Sequence, residues 1–309
     1  MEDPGVTAGT CRHMALLYRE PSEYTAAVDD FVKAAIAERE PVFVAVPKAQ
    51  LSLLSPPTED SLVSLAEMEE FGRNPARVIA ALRSFADEHA GRRIRYLGES
   101  LWLGRSRAEL RETARHEALL NLAFADSDVM MMCPYNVAAL PRSAISRARS
   151  THPLVLSSGR QRASRRYAGL DQRTAYLTNR LSEPPGRARA LRYDRDLRPL
   201  RALVATAADQ ARLTAERSTD LVIAANEVAA NTLRHTTGGG LIRLWHTATE
   251  MLCQIDDAGF IADPLAGYLR PSGDTPGRQG LWLVNQVCDL VEMRTAQSGT
   301  SIRLHMRRS

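Results

Sequence analysis

The chain has 309 residues, about the length of two domains. Hydrophobic residues make up 44% and charged residues 25%, the composition of an ordinary soluble globular protein. The longest apolar runs, 41–47 and 129–133, fall far short of the ~20 residues of a membrane helix. Residues 1–9 are acidic and polar, with no basic region ahead of an apolar core, so secretion and membrane association are not expected and a cytoplasmic location is. The formal charge is +4, yet Lys33 and Lys48 are the only lysines. Such an arginine bias reflects genomic base composition more than a nucleic-acid surface. No basic stripe with interleaved aromatics appears either, so direct DNA binding is not expected. Cys11, Cys133, Cys253 and Cys288 form no C-x-x-C pair and have no histidine at ligand spacing. They read as free thiols in a reducing compartment, and no zinc site is expected from them.

In chain order, the pattern predicts a strand over 14–18 and an amphipathic helix over 24–39, with Ser22 as its capping candidate. Residues 42–46 (VFVAV) read as a strand buried on both faces. A helix follows over 74–90, with Asn74 as N-cap and Pro75 in the first helical position. Then come a strand over 94–97, a helix over 108–123 and a strand over 129–133. Strands alternating with helices imply βαβ units, hence an α/β domain with a mostly parallel sheet over 1–156. Neither G-x-x-x-x-G-K-[ST] nor G-x-G-x-x-G is present there. His116, on the helix carrying Glu117, reads as a surface or packing residue rather than a phosphoacceptor. Residues 157–190 form a basic linker, rich in arginine and interrupted by Pro184-Pro185-Gly186. It reads as a solvated connector, with a surface for an acidic partner as the alternative.

The second domain spans 191–309, and its best helices are predicted over 197–213 and 219–235. Glu227 and Asn231 stand i, i+4 on the latter, so both side chains project from one face among apolar neighbours. A carboxylate and an amide set into such a surface are costly to bury without partners. Downstream, Gly238-Gly239-Gly240 turns into a strand over 241–247. A second strand over 251–255 runs into Asp256-Asp257-Ala258-Gly259, which places a carboxylate over backbone left bare for close approach of a ligand. A loop rich in proline and glycine ends at Gly277-Arg278-Gln279-Gly280, just before a helix over 281–290. Glycines opening a helix expose N–H groups and the positive dipole end to phosphate oxygens. Ser298-Gly299-Thr300 leads into a last strand over 301–306.

Singly these motifs are weak, but their order is specific. It resembles the Bergerat-type, or GHKL, ATP-binding fold of gyrase, histidine kinases and MutL, an α/β two-layer sandwich. Within it, Asn226-Glu227-Val228-Ala229-Ala230-Asn231 with Arg234-His235 resembles the anti-sigma factor serine kinases of the RsbW and SpoIIAB type. The resemblance covers about 191–308 and implies ATP and Mg²⁺ as ligands. It makes Asn231 the Mg²⁺ ligand, an amide oxygen suiting a hard cation. Glu227 becomes the general base for the attacking hydroxyl. Asp257 would accept the adenine amino hydrogens, with Gly259 allowing the base to approach. Gly277 and Gly280 would shape the lid and the phosphate contacts, and Thr300 would lie near the adenine. The family's box is D-x-G-x-G, and here Ile261 stands in place of the second glycine.

The first half resembles a MEDS sensory domain, through the 13–18 strand, Leu101-Trp102, residues 115–124 (RHEALLNLAF) and Cys133-Pro134-Tyr135. Such domains precede anti-sigma-type ATPase domains in actinobacterial regulators, which implies a ligand-sensing role without naming the ligand. The two resemblances together imply a regulator in a partner-switching circuit controlling transcription. Its partners would be a sigma factor or an anti-anti-sigma protein of the STAS type, and it would be a possible homodimer. The alternative is an ATP-binding module that sequesters a partner without catalysis. A sensor histidine kinase fits less well, because the nearest upstream histidine, His152, precedes Pro153.

Overall fold

A computed structural model of the protein describes residues 11–54, 62–168, 181–271 and 279–308. The chain divides into two compact units, Met1–Arg173 and Thr174–Ser309. Among the described residues, no helix is long and apolar enough to cross a membrane.

The first unit runs β1 (Arg12–Tyr18), α1 (Pro21–Ala37), β2 (Val42–Val46), α2 (Lys48–Leu51), β3 (Val63–Glu67), α3 (Met68–Phe71), α4 (Pro75–Glu88), β4 (Ile94–Gly98), α5 (Arg107–Ala123), β5 (Val129–Asn136), α6 (Arg142–Thr151), β6 (Leu154–Ser157) and β7 (Arg160–Ala163). The sheet order is β3-β2-β4-β5-β1-β6-β7. All pairs are parallel except β6 with β7. This is the expected mostly parallel α/β sheet.

Alternation along β1 sorts its two faces. Met14, Leu16 and Tyr18 pack with Tyr24, Val28, Phe31 and Val32 of α1 and with Val42, Val44 and Val46 of β2. Ala15 and Leu17 face the other way, against Cys133 and Tyr135 of β5 and Ala144 and Ala148 of α6. Each fully buried valine, leucine, phenylalanine or methionine among them contributes about 1.5–3 kcal/mol relative to exposure.

Local signals explain the helix starts. Asn74 caps α4, its side chain accepting from the Ala76 N–H at 3.2 Å. Ser106 and Glu109 form a reciprocal capping box on α5. The cap of α1 is Glu20 with Glu23, not Ser22, so that helix begins earlier than its apolar periodicity suggests.

The stretch 157–190 is not wholly a connector. Ser157 ends β6, Arg160–Ala163 form β7, an edge strand paired with β6, and Arg189 and Ala190 begin the first strand of the second unit. Both strands are arginine-rich and largely exposed, which suits sheet edges and hides them from a search for apolar alternation.

The second unit runs β8 (Arg189–Tyr193), α7 (Arg198–Gln210), α8 (Ala215–His235), β9 (Gly240–His246), β10 (Glu250–Asp257), α9 (Gly280–Val287), β11 (Leu290–Ala296) and β12 (Gly299–Arg307). The strands form one antiparallel sheet, ordered β11-β12-β10-β9-β8. Met251, Cys253 and Ile255 of β10 and Ile302, Leu304 and Met306 of β12 turn toward the helices. There they join Leu200 and Val204 of α7, Leu221, Ala225 and Val228 of α8, and Val284 of α9. One sheet with its helices on one face is the expected two-layer α/β sandwich.

The opposite face is polar and still buried. Arg303 donates to Gln254 Oε1 at 3.0 Å, and His305 lies 3.1 Å from Glu292 and 3.2 Å from Glu250. Burial pulls the His305 imidazole down, but the hydrogen bonds and charges of these two carboxylates outweigh it and leave its pKa raised to about 9.

Candidate nucleotide-binding site

The site is assembled where α8, the end of β10 and the start of α9 meet. Thr214 caps α8, accepting from the Arg217 N–H. The buried stripe of this helix, Leu221, Ala224, Ala225, Val228, Ala229 and Thr232, lies on the sheet. Glu227 and Asn231 sit half-buried beside that stripe. A side chain at Gly280 would place its Cβ 2.6 Å from Glu227 Oε2 and 3.6 Å from Asn231 Nδ2. The first turn of α9 therefore abuts the carboxylate–amide pair, and only glycine allows that approach. Gln279 and Gly280 thereby bring the free N–H groups of a helix start to the two polar side chains.

Asp257 ends β10, opposite Thr300 on β12 and Gly240 on β9. Its Oδ1 accepts from the Gly259 N–H at 2.7 Å, and its Oδ2 accepts from the Thr232 hydroxyl at 2.7 Å. Tyr193 donates in turn to Thr232 Oγ1 at 3.1 Å. Burial pushes the Tyr193 phenol up to about 12, with the Asp257 charge adding to it, so the phenol stays a donor. Asp257 is thus held in one orientation from two sides. A Cβ at Gly259 would meet Thr236 Cγ2 at 2.9 Å and Asp257 Oδ1 at 3.0 Å, which explains the glycine two residues after the aspartate.

Thr300 is buried and donates to the Gly259 carbonyl at 2.8 Å. Its cross-strand neighbour Thr295 shares a hydroxyl contact with it at 2.9 Å and accepts from the Ile261 N–H at 2.9 Å. Two threonines therefore pin the segment 259–261 to the sheet. Ile261 packs its side chain against the core. At this position the second glycine of the box is replaced by an anchor.

The structure brings Glu227, Asn231 and Gly280 together, and separately ties Asp257, Gly259 and Thr300 into one hydrogen-bonded corner reached from α8 through Thr232. Gly277 lies outside the described residues. The donor set suits a hard cation only weakly: Asn231 Oδ1 already accepts from Arg234 Nη1 at 2.9 Å, so that bond must open for the oxygen to reach a metal. Thr232, Thr295 and Tyr193 escape a reading by periodicity. Each works through strand register or a helix-to-strand contact rather than through spacing along the chain.

Two family models match the chain. The model for the MEDS domain, described as the methanogen/methylotroph, DcmR sensory domain, matches residues 12–153. That for the histidine kinase-like ATPase domain matches residues 192–306, which hold every described residue of the site. No curated protein matches the chain. The chain thus carries an N-terminal MEDS domain followed by a C-terminal histidine kinase-like ATPase domain.

Proposed function

We propose that the C-terminal domain is an anti-sigma regulatory kinase, one that binds ATP with Mg²⁺ and phosphorylates a serine or threonine of an anti-anti-sigma partner. The observation that carries this reading is the contact of Gly280 with Glu227 and Asn231, which sets a helix N-terminus, a carboxylate and an amide around one point. In the reaction, the partner's hydroxyl oxygen attacks the γ-phosphorus, and the bond to the leaving β-phosphate oxygen breaks. The hydroxyl proton passes to Glu227, and ADP departs. Asn231 would hold Mg²⁺, which offsets the phosphate charge when bound. Asp257 would accept from the adenine amino group, its orientation preset by Thr232 and Gly259. The MEDS domain would bias the choice of partner through a small ligand, and differential contacts in two states are required for that. The protein would act in the cytoplasm, on a sigma factor or a STAS-type protein.

The test is incubation with γ-labelled ATP and Mg²⁺, with candidate anti-anti-sigma proteins from the same genome. Label on a partner serine or threonine, lost in Glu227→Ala while ATP is still bound, supports the reading. Transfer retained in Glu227→Ala removes that residue from its role. A second reading is favoured by the Arg234–Asn231 hydrogen bond, which places a cation on the amide oxygen. In that case the domain holds nucleotide to shape a partner-binding surface and transfers nothing, and ATP binding without label on any protein would establish it.

A further inference from the structure

Outside the nucleotide site, four side chains from four elements of the MEDS domain converge in its interior. These are His13 on β1, Glu117 on α5, Cys133 on β5 and His152 at the end of α6. One ligand atom from each lies within 4.8 Å of all the others, and all four residues are buried.

The separations are specific. His13 Nε2 is 3.3 Å from Glu117 Oε2 and 3.4 Å from Cys133 Sγ. His152 Nε2 is 3.4 Å from the same carboxylate oxygen, and Cys133 Sγ is 3.5 Å from it. A tetrahedron built on metal bonds of roughly 2.0–2.3 Å has edges of about 3.3–3.8 Å. Four of the six edges therefore already have the length that a zinc-type centre requires.

The hydrogen bonds behind the ligands point the same way. The Asn121 amide donates to the carbonyls of Glu117 and Thr151, both at 2.9 Å, so its Oδ1 is left to accept from His13 Nδ1 at 3.2 Å. His152 Nδ1 lies 2.8 Å from the Ala148 carbonyl, which only accepts. Both rings thus carry their proton on Nδ1 and turn a bare Nε2 inward. His152 Nε2 makes no hydrogen bond among the described residues. Two nitrogen lone pairs facing one carboxylate oxygen repel unless a proton or a metal cation lies between them. Protonating both rings would set two imidazolium ions side by side, with centroids 4.0 Å apart. A metal resolves the conflict with a single charge centre. The backing of each imidazole by an outer acceptor is the usual arrangement of metal-bound histidines.

We propose that His13, Glu117, Cys133 and His152 form a tetrahedral site for a divalent transition cation of the zinc type, buried in the MEDS domain. Two imidazoles, a thiolate and a carboxylate complete the coordination, so no position is left open for hydrolytic water and the site is structural. Cys133 binds as thiolate, and its proton is released to solvent on metal uptake. The centre ties β1, β5, α5 and α6 together, elements whose ligand residues are far apart in sequence.

The experiment uses the full-length protein expressed with Zn²⁺ and, separately, with Co²⁺. Elemental analysis after gel filtration is expected to give about one metal per chain. The Co²⁺ protein is expected to show the intense visible bands of tetrahedral cobalt and a near-ultraviolet thiolate-to-cobalt charge-transfer band. Cys133→Ser should lose that charge-transfer band, and His152→Gln should lower metal content at least tenfold. Should either variant fail to fold, the wild-type Co²⁺ spectrum decides alone. Metal content at the level of a buffer control, or a cobalt spectrum without the thiolate band, overturns the proposal and leaves a hydrogen-bonded His–Glu–His cluster.

Discussion

Replacing Gly280 by alanine probes the contact on which the nucleotide site rests. The added Cβ would lie 2.6 Å from Glu227 Oε2, and ordinary contact begins at 3.4 Å, so the carboxylate must retreat by about 0.8 Å. The atom displaced is the far end of a flexible, half-buried side chain, and no backbone atom is that close. Stability should therefore change by less than about 1 kcal/mol, since Gly→Ala in a helix offsets part of the crowding. A catalytic group moved by nearly 1 Å costs on the order of 100-fold in rate. We expect Gly280→Ala to lower phosphotransfer from γ-labelled ATP by roughly 10- to 100-fold, with a thermal midpoint close to wild type. The double variant with Glu227→Gln separates two causes. If alanine acts by displacing Glu227, it causes little further loss once the carboxylate is gone. Unchanged transfer in Gly280→Ala would refute the placement of Glu227 at the reacting centre, and full additivity would assign the loss to obstruction of the phosphates.

Other outcomes follow from the same contacts. Thr232→Val removes the donor to Asp257 Oδ2 and the acceptor for Tyr193, so it should cost about 1–3 kcal/mol in urea unfolding and weaken ATP binding. Unaltered ATP affinity would mean that Asp257 needs no preset orientation. His305 has a pKa raised to about 9 against about 6.5 unfolded, so its contribution is complete below pH 6.5 and is lost as pH rises through 9. That contribution amounts to at most about 3 kcal/mol, and unfolding midpoints at pH 6.5 and 9.5 should differ more in wild type than in His305→Gln. Equal differences in the two proteins would sink the assignment. In the first unit, Arg95 donates to Glu40 at 2.6 Å and to Glu38 at 3.0 Å, with Arg95 almost wholly buried. Glu40→Gln leaves that guanidinium short of charge and should cost about 3–5 kcal/mol, read as a lower denaturation midpoint. A shift under about 1 kcal/mol would show that Glu38 suffices as partner.

Much of the architecture is legible in the order of residues, because periodicity and capping act over a few positions. The VFVAV strand is apolar at every residue since it is covered on both faces, and Asn74-Pro75 announces α4 because cap and first turn are adjacent. In the second unit, Glu227 and Asn231 are i, i+4, and helical geometry alone puts them on one face. The Asp257-x-Gly259 box is equally local, as the aspartate bonds the glycine N–H directly. What folding decides is which distant positions meet. Thr300 and Thr295 become loop anchors through antiparallel register, which no spacing along the chain encodes. The strands β7 and β8 hide among arginines because sheet edges tolerate charge. Cys133 has no histidine at ligand spacing, which argues against zinc on sequence grounds. Yet β1 pairs with β5 across more than a hundred residues, and α5 and α6 pack over that same face, so His13, Glu117 and His152 arrive beside the thiol from three other elements. A ligand set built by tertiary contact has no sequence period, because the chain's path between its members is long and the space between their side chains is only a few ångströms.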